Sequence, residues 1–551
     1  MGNNLVRSNK KNKLFDLAII GGGINGAGIA LDAALRGLSV VLLEKDDFGS
    51  HTTSASTKLI HGGLRYLEYF DFGLVRESLR ERERLLRNAP HLAWPLKLNV
   101  PVYRHSKRGP VLIKAGMILY DILSYDKSLP SHNFYRVGNN GHRLPLDSGI
   151  NKQGLRAVAS YYDCQIGYPE RLCIEVVLSA QREGALTLNY HEVLSVSDHT
   201  DRKTLLIHDK IHNSRLEISA RMVVNAGGIF VDEVNKRIDN SIPRKMGGTK
   251  GSHILIRKFD HGPKNAYYVE AVQDGRPFFV IPWRDYYLIG TTDIYYDGDL
   301  DHITASEEEV DYLLTELHHL FPSWSVTKKD IVYTYSGVRP LPYEPGKKES
   351  QITRNHIILD HGKFEGPDNL ISIIGGKLTT YRSLAEECVD LVCRKLGCST
   401  KCLTQSYTLI GGKGFVSYTT DLDNQVREYA RRFTLSEKVV KHLILYYGSR
   451  FKEILALTEK NPELKQTVCK NNSDILAQVV YAIQAEQAKT LEDILLRRTS
   501  IGTSFCMGLD CVQNIAPLAS EYLDWNEEQM MQAIENYIEY IYINHKNHLK
   551  N

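Results

Sequence analysis

Residues 15–45 read as strand, glycine turn, helix and strand, and no other stretch of the 551-residue chain constrains the fold as tightly. FDLAII (15–20) is apolar almost throughout, as a strand buried in a parallel sheet must be. INGAGIALDAALRG then sets small and apolar residues at helical spacing, with Gly37 placed to end the helix. SVVLLEK (39–45) is a second apolar strand. Between the first strand and the helix lies Gly21-x-Gly23-x-x-Gly26. Gly21 permits the tight turn, Gly23 lets the backbone approach a pyrophosphate, and Gly26 lets helix and strand pack closely. Asn25 and Gly26 sit at the helix start, where outward N–H groups and the helix dipole favour an anion. Glu44 follows Gly26 by 18 residues, at the end of the second strand. There its carboxylate accepts from both ribose hydroxyls, which selects FAD or NAD over NADP.

Two more glycine-rich strand ends follow far along the chain. RMVVNAGG (221–228) brings Ala226 and Gly228 into a close backbone approach, and IIGGKLTTYR (373–382) offers Gly376, Lys377, Leu378 and Thr379 ahead of a long helix. Three such turns suit a large cofactor reached from several segments, which favours FAD. From about 155 to 375 short alternating runs predict an antiparallel sheet, with a hairpin around WRD. After about 405 the pattern is helical, including one long predicted helix over 475–499. The charged helix over 68–90 reads as a solvated face. The fold class is α/β: an FAD-binding Rossmann-type domain with an interleaved antiparallel-sheet substrate domain (14–404, the substrate part mainly within 90–160 and 240–350), then an all-helical C-terminal domain (405–551).

With 42% hydrophobic and 24% charged residues the chain is globular, and a net charge of +3 argues against a nucleic-acid partner. Its nine cysteines form no C-x-x-C pair; Cys398-x-x-x-Cys402 and Cys506-x-x-x-x-Cys511 are the closest spacings. Cys388, Cys393 and Cys398 repeat the five-residue step of Cys506 and Cys511, and all nine read as reduced thiols, with no metal expected. The basic start MGNNLVRSNKKNK has no apolar core of a secretory signal, and no window is apolar enough to span a bilayer.

IIGGGINGAGIALDAALRGLSVVLLEKDDF, TSASTKLIHGGLRYLE, KGSHILI, IPWRDYYLIGTTD, YSGVRPL, ITRNHII and GGKLTTYR closely resemble the FAD-dependent, membrane-associated glycerol-3-phosphate dehydrogenases. YYGSR (446–450) and LEDILLRRT (491–499) extend the likeness into the helical part. The resemblance implies FAD as cofactor, sn-glycerol 3-phosphate as substrate, dihydroxyacetone phosphate as product and a respiratory quinone as acceptor. It also implies a cytoplasmic enzyme held peripherally on the inner face of the cell membrane, and a homodimer is compatible with it. Arg339, Arg354 and Lys377 match the family's substrate-binding positions, and Arg65 and Tyr66 join them by similarity. Arginine forks and a lysine point charge are what a phosphate calls for.

Oxidation at C2 also needs a proton acceptor. His61 and His253 fall on family motif positions, with His61 ranked first, while Arg339 is a candidate to stabilise an alkoxide. The hydroxyl-rich loop TTSASTKLIHGG offers Ser54, Ser56, Thr57, Leu59 and His61 to the cofactor. The expected FAD is non-covalent, with His51 in that loop as the one reservation. Where the family reads Asn-Ala-Thr-Gly-Pro-Trp-Val, this chain has Asn225-Ala226-Gly227-Gly228-Ile229-Phe230-Val231, a change expected to bear on flavin packing. The segment 111–123 reads either as a helix on the core, the favoured choice, or as one lying in a membrane interface. The rival functions are an oxidase that makes peroxide and a non-catalytic flavin scaffold. The absence of a long insertion between GTTD and SGVRPL favours the dehydrogenase.

Overall fold

The computed structural model describes residues 13–138, 146–147, 149–347, 352–364, 366–415, 420–470 and 472–547, without the side chains of Arg65 and Thr420. The basic N-terminal stretch 1–12 lies outside the described residues. Strand Leu14–Ile20 pairs in parallel with Val40–Leu43 on one side and Ser214–Asn225 on the other, so that Ile20 sits between Leu43 and Asn225. Strands Leu370–Ile374 and Leu186–Leu188 extend the parallel sheet outward. Helices Ile24–Leu35, Pro169–Arg182 and Tyr381–Leu396 cover one face, and the hairpin His191–Asp198 with Lys203–Asp209 packs on the other. Both faces are therefore dry, which is why Leu17, Ala18 and Ile19 form one unbroken, fully buried run.

The second sheet has ten strands and is mostly antiparallel. Its hairpin Pro277–Trp283 and Tyr286–Gly290 turns at Arg284, at φ 50°. Strand Met246–Arg257 pairs along its length with Ile331–Pro342, placing Thr249 opposite Arg339 and His253 opposite Tyr335. The described residues after 405 form a helical domain with a core of its own around Leu443, Ile454 and Val480. A second core is shared: Leu98, Trp283 and Leu288 of the sheet pack in one cluster with Leu491, Val512 and Tyr537.

Two local expectations change. The helix Phe72–Asn88 presents only part of its charge to solvent: Arg80 and Arg87 are exposed, but Glu81, Arg82 and Glu83 are buried. Arg82 reaches Asp163 at 2.6 Å, and Arg382 clasps Glu81 at 2.6 and 2.8 Å. A buried charge is tolerated only with such partners, and they come from distant parts of the chain. The long helix over 475–499 is interrupted. Leu476–Glu486 ends at Gln487 in the left-handed region, and Asp493 accepts the N–H groups of Lys489 and Thr490 at 2.7 and 3.1 Å before a short π-helical turn, Asp493–Arg498. The helix Pro110–Leu123 packs on the core, the favoured choice, yet leaves apolar residues on its other side exposed. Ile113, Met117 and Tyr120 are buried in the shared core, while Val111, Leu112, Ile118 and Ile122 are exposed, Val111 at 72%.

Candidate active site

A cavity of about 410 Å³ opens between the glycine turn and the second sheet. Gly21, Gly23, Asn25 and Glu44 line it from the first βαβ unit. Ser56, Thr57, Leu59 and His61 line it from the hydroxyl-rich loop, and Ala226 and Gly228 from the middle strand end. Gly376, Lys377, Leu378 and Thr379 add the third glycine turn, and Tyr66, His253, Arg339 and Arg354 complete the wall. Gly26 stands behind this surface, where a Cβ would lie 1.9 Å from the Gly21 carbonyl oxygen, so no larger residue fits between helix and strand. Ser54 also stands apart: its hydroxyl donates to the Ser50 and His51 carbonyls, and it lines a neighbouring crevice. Arg65 belongs to the short helix Leu64–Tyr69, and its side chain is outside the described residues.

The nucleotide end is built from backbone. The helix Ile24–Leu35 starts at Gly23 with no side-chain cap, and only Ile24 N–H is taken, by Thr53 Oγ1 at 3.1 Å. Glu44 is buried, accepting the N–H groups of Gly22 at 2.6 Å and Asp46 at 2.9 Å. Burial and Asp46 push its carboxyl above the usual range, while those hydrogen bonds oppose the rise. Asn25 Nδ2 donates to Gly375 O at 3.3 Å, joining the first and third glycine turns. Gly376 has φ 103°, and a Cβ there would sit 2.6 Å from Asn25 Nδ2. Asn25 Oδ1 is buried with no hydrogen-bond partner. A helix start without a cap, glycines where a Cβ would intrude, and an orphaned amide oxygen together fit a bound dinucleotide. Phe230 lies at this end, edge-on to His51 at 5.0 Å and with Lys45 Nζ 3.7 Å from its ring centre. The replacement of Pro-Trp by Ile229-Phe230 therefore acts beside Lys45 and His51. His51 is itself held by Asp46 at 3.0 Å.

The other end is built from side chains. Arg339 meets Asp293 at 2.9 Å and the Thr291 hydroxyl at 3.0 Å, and Arg354 meets the same aspartate at 3.2 Å. Burial raises the Asp293 carboxyl, but Arg339 and Arg354 outweigh it and leave it below the usual range. Arg276 lines the same wall and donates to the Asp293 carbonyl. Sequence reasoning assigned neither Asp293 nor Arg276 a role, although Asp293 ends the quoted GTTD motif. Lys377 Nζ is buried with no hydrogen-bond partner, 3.8 Å from the centre of the Tyr66 ring. Burial pulls its ammonium down to about 7; Glu77 and Asp71 oppose the fall and Arg354 adds to it.

The histidines differ in setting. His253 Nε2 shares a hydrogen bond with the Thr57 hydroxyl at 3.0 Å, and its ring stacks on Tyr335 at 4.7 Å. Burial, reinforced by Arg339 and Lys58, holds it well below the usual histidine value. His61 is half-buried in the cavity wall, its ring edge-on to Phe279 at 6.3 Å. Burial lowers its pKa too; Asp163 opposes this and Lys377 adds to it. In both, the shift favours the neutral imidazole, the form that accepts a proton.

Comparison with known proteins agrees with this geometry. A family model described as FAD dependent oxidoreductase matches residues 16–382, and one described as the C-terminal domain of alpha-glycerophosphate oxidase matches 402–530. The chain is similar to the glycerol-3-phosphate dehydrogenase of Synechocystis sp., 47% identical over 96% of this chain and 97% of that protein. It is 34% identical to the aerobic glycerol-3-phosphate dehydrogenase of Staphylococcus saprophyticus, over 90% of this chain and 88% of the relative. The crystal structure of the Bacillus halodurans glycerol-3-phosphate dehydrogenase complexed with FAD superimposes with a TM-score of 0.78 at 28% identity, covering 97% of this chain and 96% of that one. With two family models covering both domains in order, and relatives matching from end to end, the chain belongs to the FAD-dependent glycerol-3-phosphate dehydrogenase family.

Proposed function

We propose that the protein oxidises sn-glycerol 3-phosphate at C2 to dihydroxyacetone phosphate and passes the electrons to a respiratory quinone at the cytoplasmic face of the cell membrane. Lys377 carries this reading: a buried amine without a hydrogen-bond partner, in one cavity with Arg339 and Arg354, is poised for an anionic ligand. FAD, when bound, supplies the acceptor for the C2 hydride. Arg339, Arg354 and Lys377 hold the phosphate, and Asp293 orients the two guanidinium groups. His61 takes the proton from the C2 hydroxyl, and its neutral form suits that task. Thr57 and Tyr335 hold His253 in the wall behind. Anaerobic mixing with glycerol 3-phosphate should bleach the flavin, whereas glycerol should not. Equal bleaching by both would sink the phosphate clamp, and no bleaching at full flavin occupancy would favour the scaffold.

The acceptor is tested separately, by quinone-analogue reduction without oxygen against peroxide formation in air. Peroxide equal to substrate consumed, with no gain from quinone, would replace the quinone by dioxygen. Among the described residues no helix is long and apolar enough to cross a membrane. The exposed Val111, Leu112, Ile118 and Ile122, with Phe70 and Tyr125 also exposed, support a surface that lies in the lipid interface. Ile118→Glu with Ile122→Glu should abolish co-flotation with anionic vesicles while leaving soluble-acceptor turnover intact; unchanged flotation would move the contact elsewhere.

A further inference from the structure

Three of the nine cysteines converge in the helical domain, and none of them lines the cavity just described. Cys469 lies in the loop ahead of helix Leu476–Glu486, and Cys506 and Cys511 lie in the turn ahead of helix Val512–Leu523. Cys469 Sγ is 3.7 Å from Cys506 Sγ, and 3.6 and 3.7 Å from the two Asp510 carboxylate oxygens. The Cys511 thiol is the next sulfur along the chain from Cys506, buried and 3.6 Å from the Gly508 carbonyl oxygen. Cys469 and Cys511 are buried, Cys506 is half-buried, and only Asp510 is exposed.

These separations match the edges of a tetrahedral metal site. Zinc–sulfur bonds of about 2.3 Å at tetrahedral angles put two thiolates roughly 3.8 Å apart, and a carboxylate oxygen about 3.5 Å from a thiolate sulfur. A disulfide would need neither the third sulfur nor the carboxylate. Three donors that are anionic when deprotonated, all within 4.8 Å of one another, repel unless a cation lies between them. We propose that Cys469, Cys506 and Asp510, with the neighbouring Cys511 thiol drawn in as fourth ligand, form a structural site for a zinc ion, closed to substrate and separate from the flavin chemistry.

The site joins two segments that already meet through other contacts. Asp474, a few residues after Cys469, accepts from the Ser500 hydroxyl at 2.7 Å. Ser500 and Thr503, just before Cys506, receive Arg284 from the hairpin turn of the second sheet, at 3.2 Å to the Ser500 carbonyl and 2.7 Å to the Thr503 hydroxyl. The zinc thus fixes the surface of the helical domain on which the second sheet rests. Its loss loosens that seam without touching the flavin cradle.

The test is metal analysis of the flavin-loaded protein purified from zinc-supplemented cells. About one zinc per chain should survive gel filtration and be released in full by a thiol-blocking mercurial. The Cys506→Ser/Cys511→Ser variant should lose at least tenfold of its zinc and several degrees of melting temperature while keeping its flavin. Should that variant not fold, wild-type protein stripped by chelator and given cobalt(II) should show thiolate-to-cobalt charge-transfer absorption, lost again on adding zinc. Wild-type protein with neither zinc nor a cobalt spectrum overturns the proposal. So does a Cys469–Cys506 disulfide peptide in the native protein, or iron with inorganic sulfide in place of zinc.

Discussion

Two buried clusters of charge lie in this molecule, and they are finished differently. At the seam between the FAD-binding and helical domains, Asp47 receives Arg497 at 2.5 Å and Arg498 twice at 2.7 Å, and Arg497 also reaches Asp493 at 2.6 Å. Nearby, Arg171 grips Glu486 through two bonds of 2.6 Å, and Arg450 joins them at 3.1 Å. Burial alone would raise the Asp47 carboxyl, but Arg498 and Arg497 hold it at about 2. In the cavity, by contrast, the Lys377 amine is buried with no hydrogen bond, and burial has pulled it down to about 7. Charge that is fully met inside the chain is architecture. Charge left without a hydrogen-bond partner costs stability, and it persists where a ligand completes it.

The largest expected effect lies at the seam. Asp47→Ala leaves Arg497 and Arg498 buried together and should cost about 3–5 kcal/mol in urea unfolding. A cost under about 1 kcal/mol would mean that the seam charges are no better matched than Lys377. Next comes Arg339→Ala, which should lower kcat/KM by roughly 30- to 1,000-fold, about 2–4 kcal/mol, with flavin content and melting temperature unchanged. Flavin loss in that variant would move Arg339 to the architectural side.

Lys377 predicts opposite pH trends for stability and for binding. Its folded value of about 7 lies below the unfolded 10.5, so between these the unfolded chain binds more protons and stability rises with pH. The ligand-free protein should therefore gain melting temperature from pH 7 to 9 relative to Lys377→Met. Over the same range the KM for glycerol 3-phosphate should rise several-fold as the ammonium is lost, and Lys377→Met should show a high, flat KM. Parallel pH profiles of KM in the two proteins would remove Lys377 from the phosphate site. The smallest effect is expected for Phe230→Ala. Removing the ring beneath Lys45 should weaken FAD binding by a few-fold, about 0.5–1 kcal/mol, as read by flavin fluorescence. A change in turnover at saturating FAD would place Phe230 by the reacting atoms instead.

The two ends of the cavity were unequally legible. The nucleotide end could be read residue by residue, because a tight turn, an uncapped helix start and a terminal carboxylate leave local marks in Gly21, Gly23, Gly26 and Glu44. The arginines and Lys377 were legible through motifs, but Asp293 was not, since its role exists only once Arg339 and Arg354 have been brought to it. The charged helix misled for the same reason: Glu81 and Arg82 look solvated until Arg382 and Asp163 arrive. Cys506 and Cys511 read as ordinary thiols in sequence because Cys469, which completes the convergence, is 37 residues away from the nearer one.

The amino-acid sequence by itself determined the βαβ unit and the glycine turn of the FAD cradle, because backbone sterics and helix dipoles act over a few residues, while Arg339, Arg354 and Lys377 of the cavity wall were named through the family resemblance. Only the tertiary structure decided which charges are neutralised within the chain, where the long C-terminal helix breaks, and which thiols meet. Those outcomes depend on desolvation and on partners up to 451 residues apart, such as Asp47 and Arg498. Burial decides what a charge costs, and burial is a property of the packed fold rather than of any short stretch of chain.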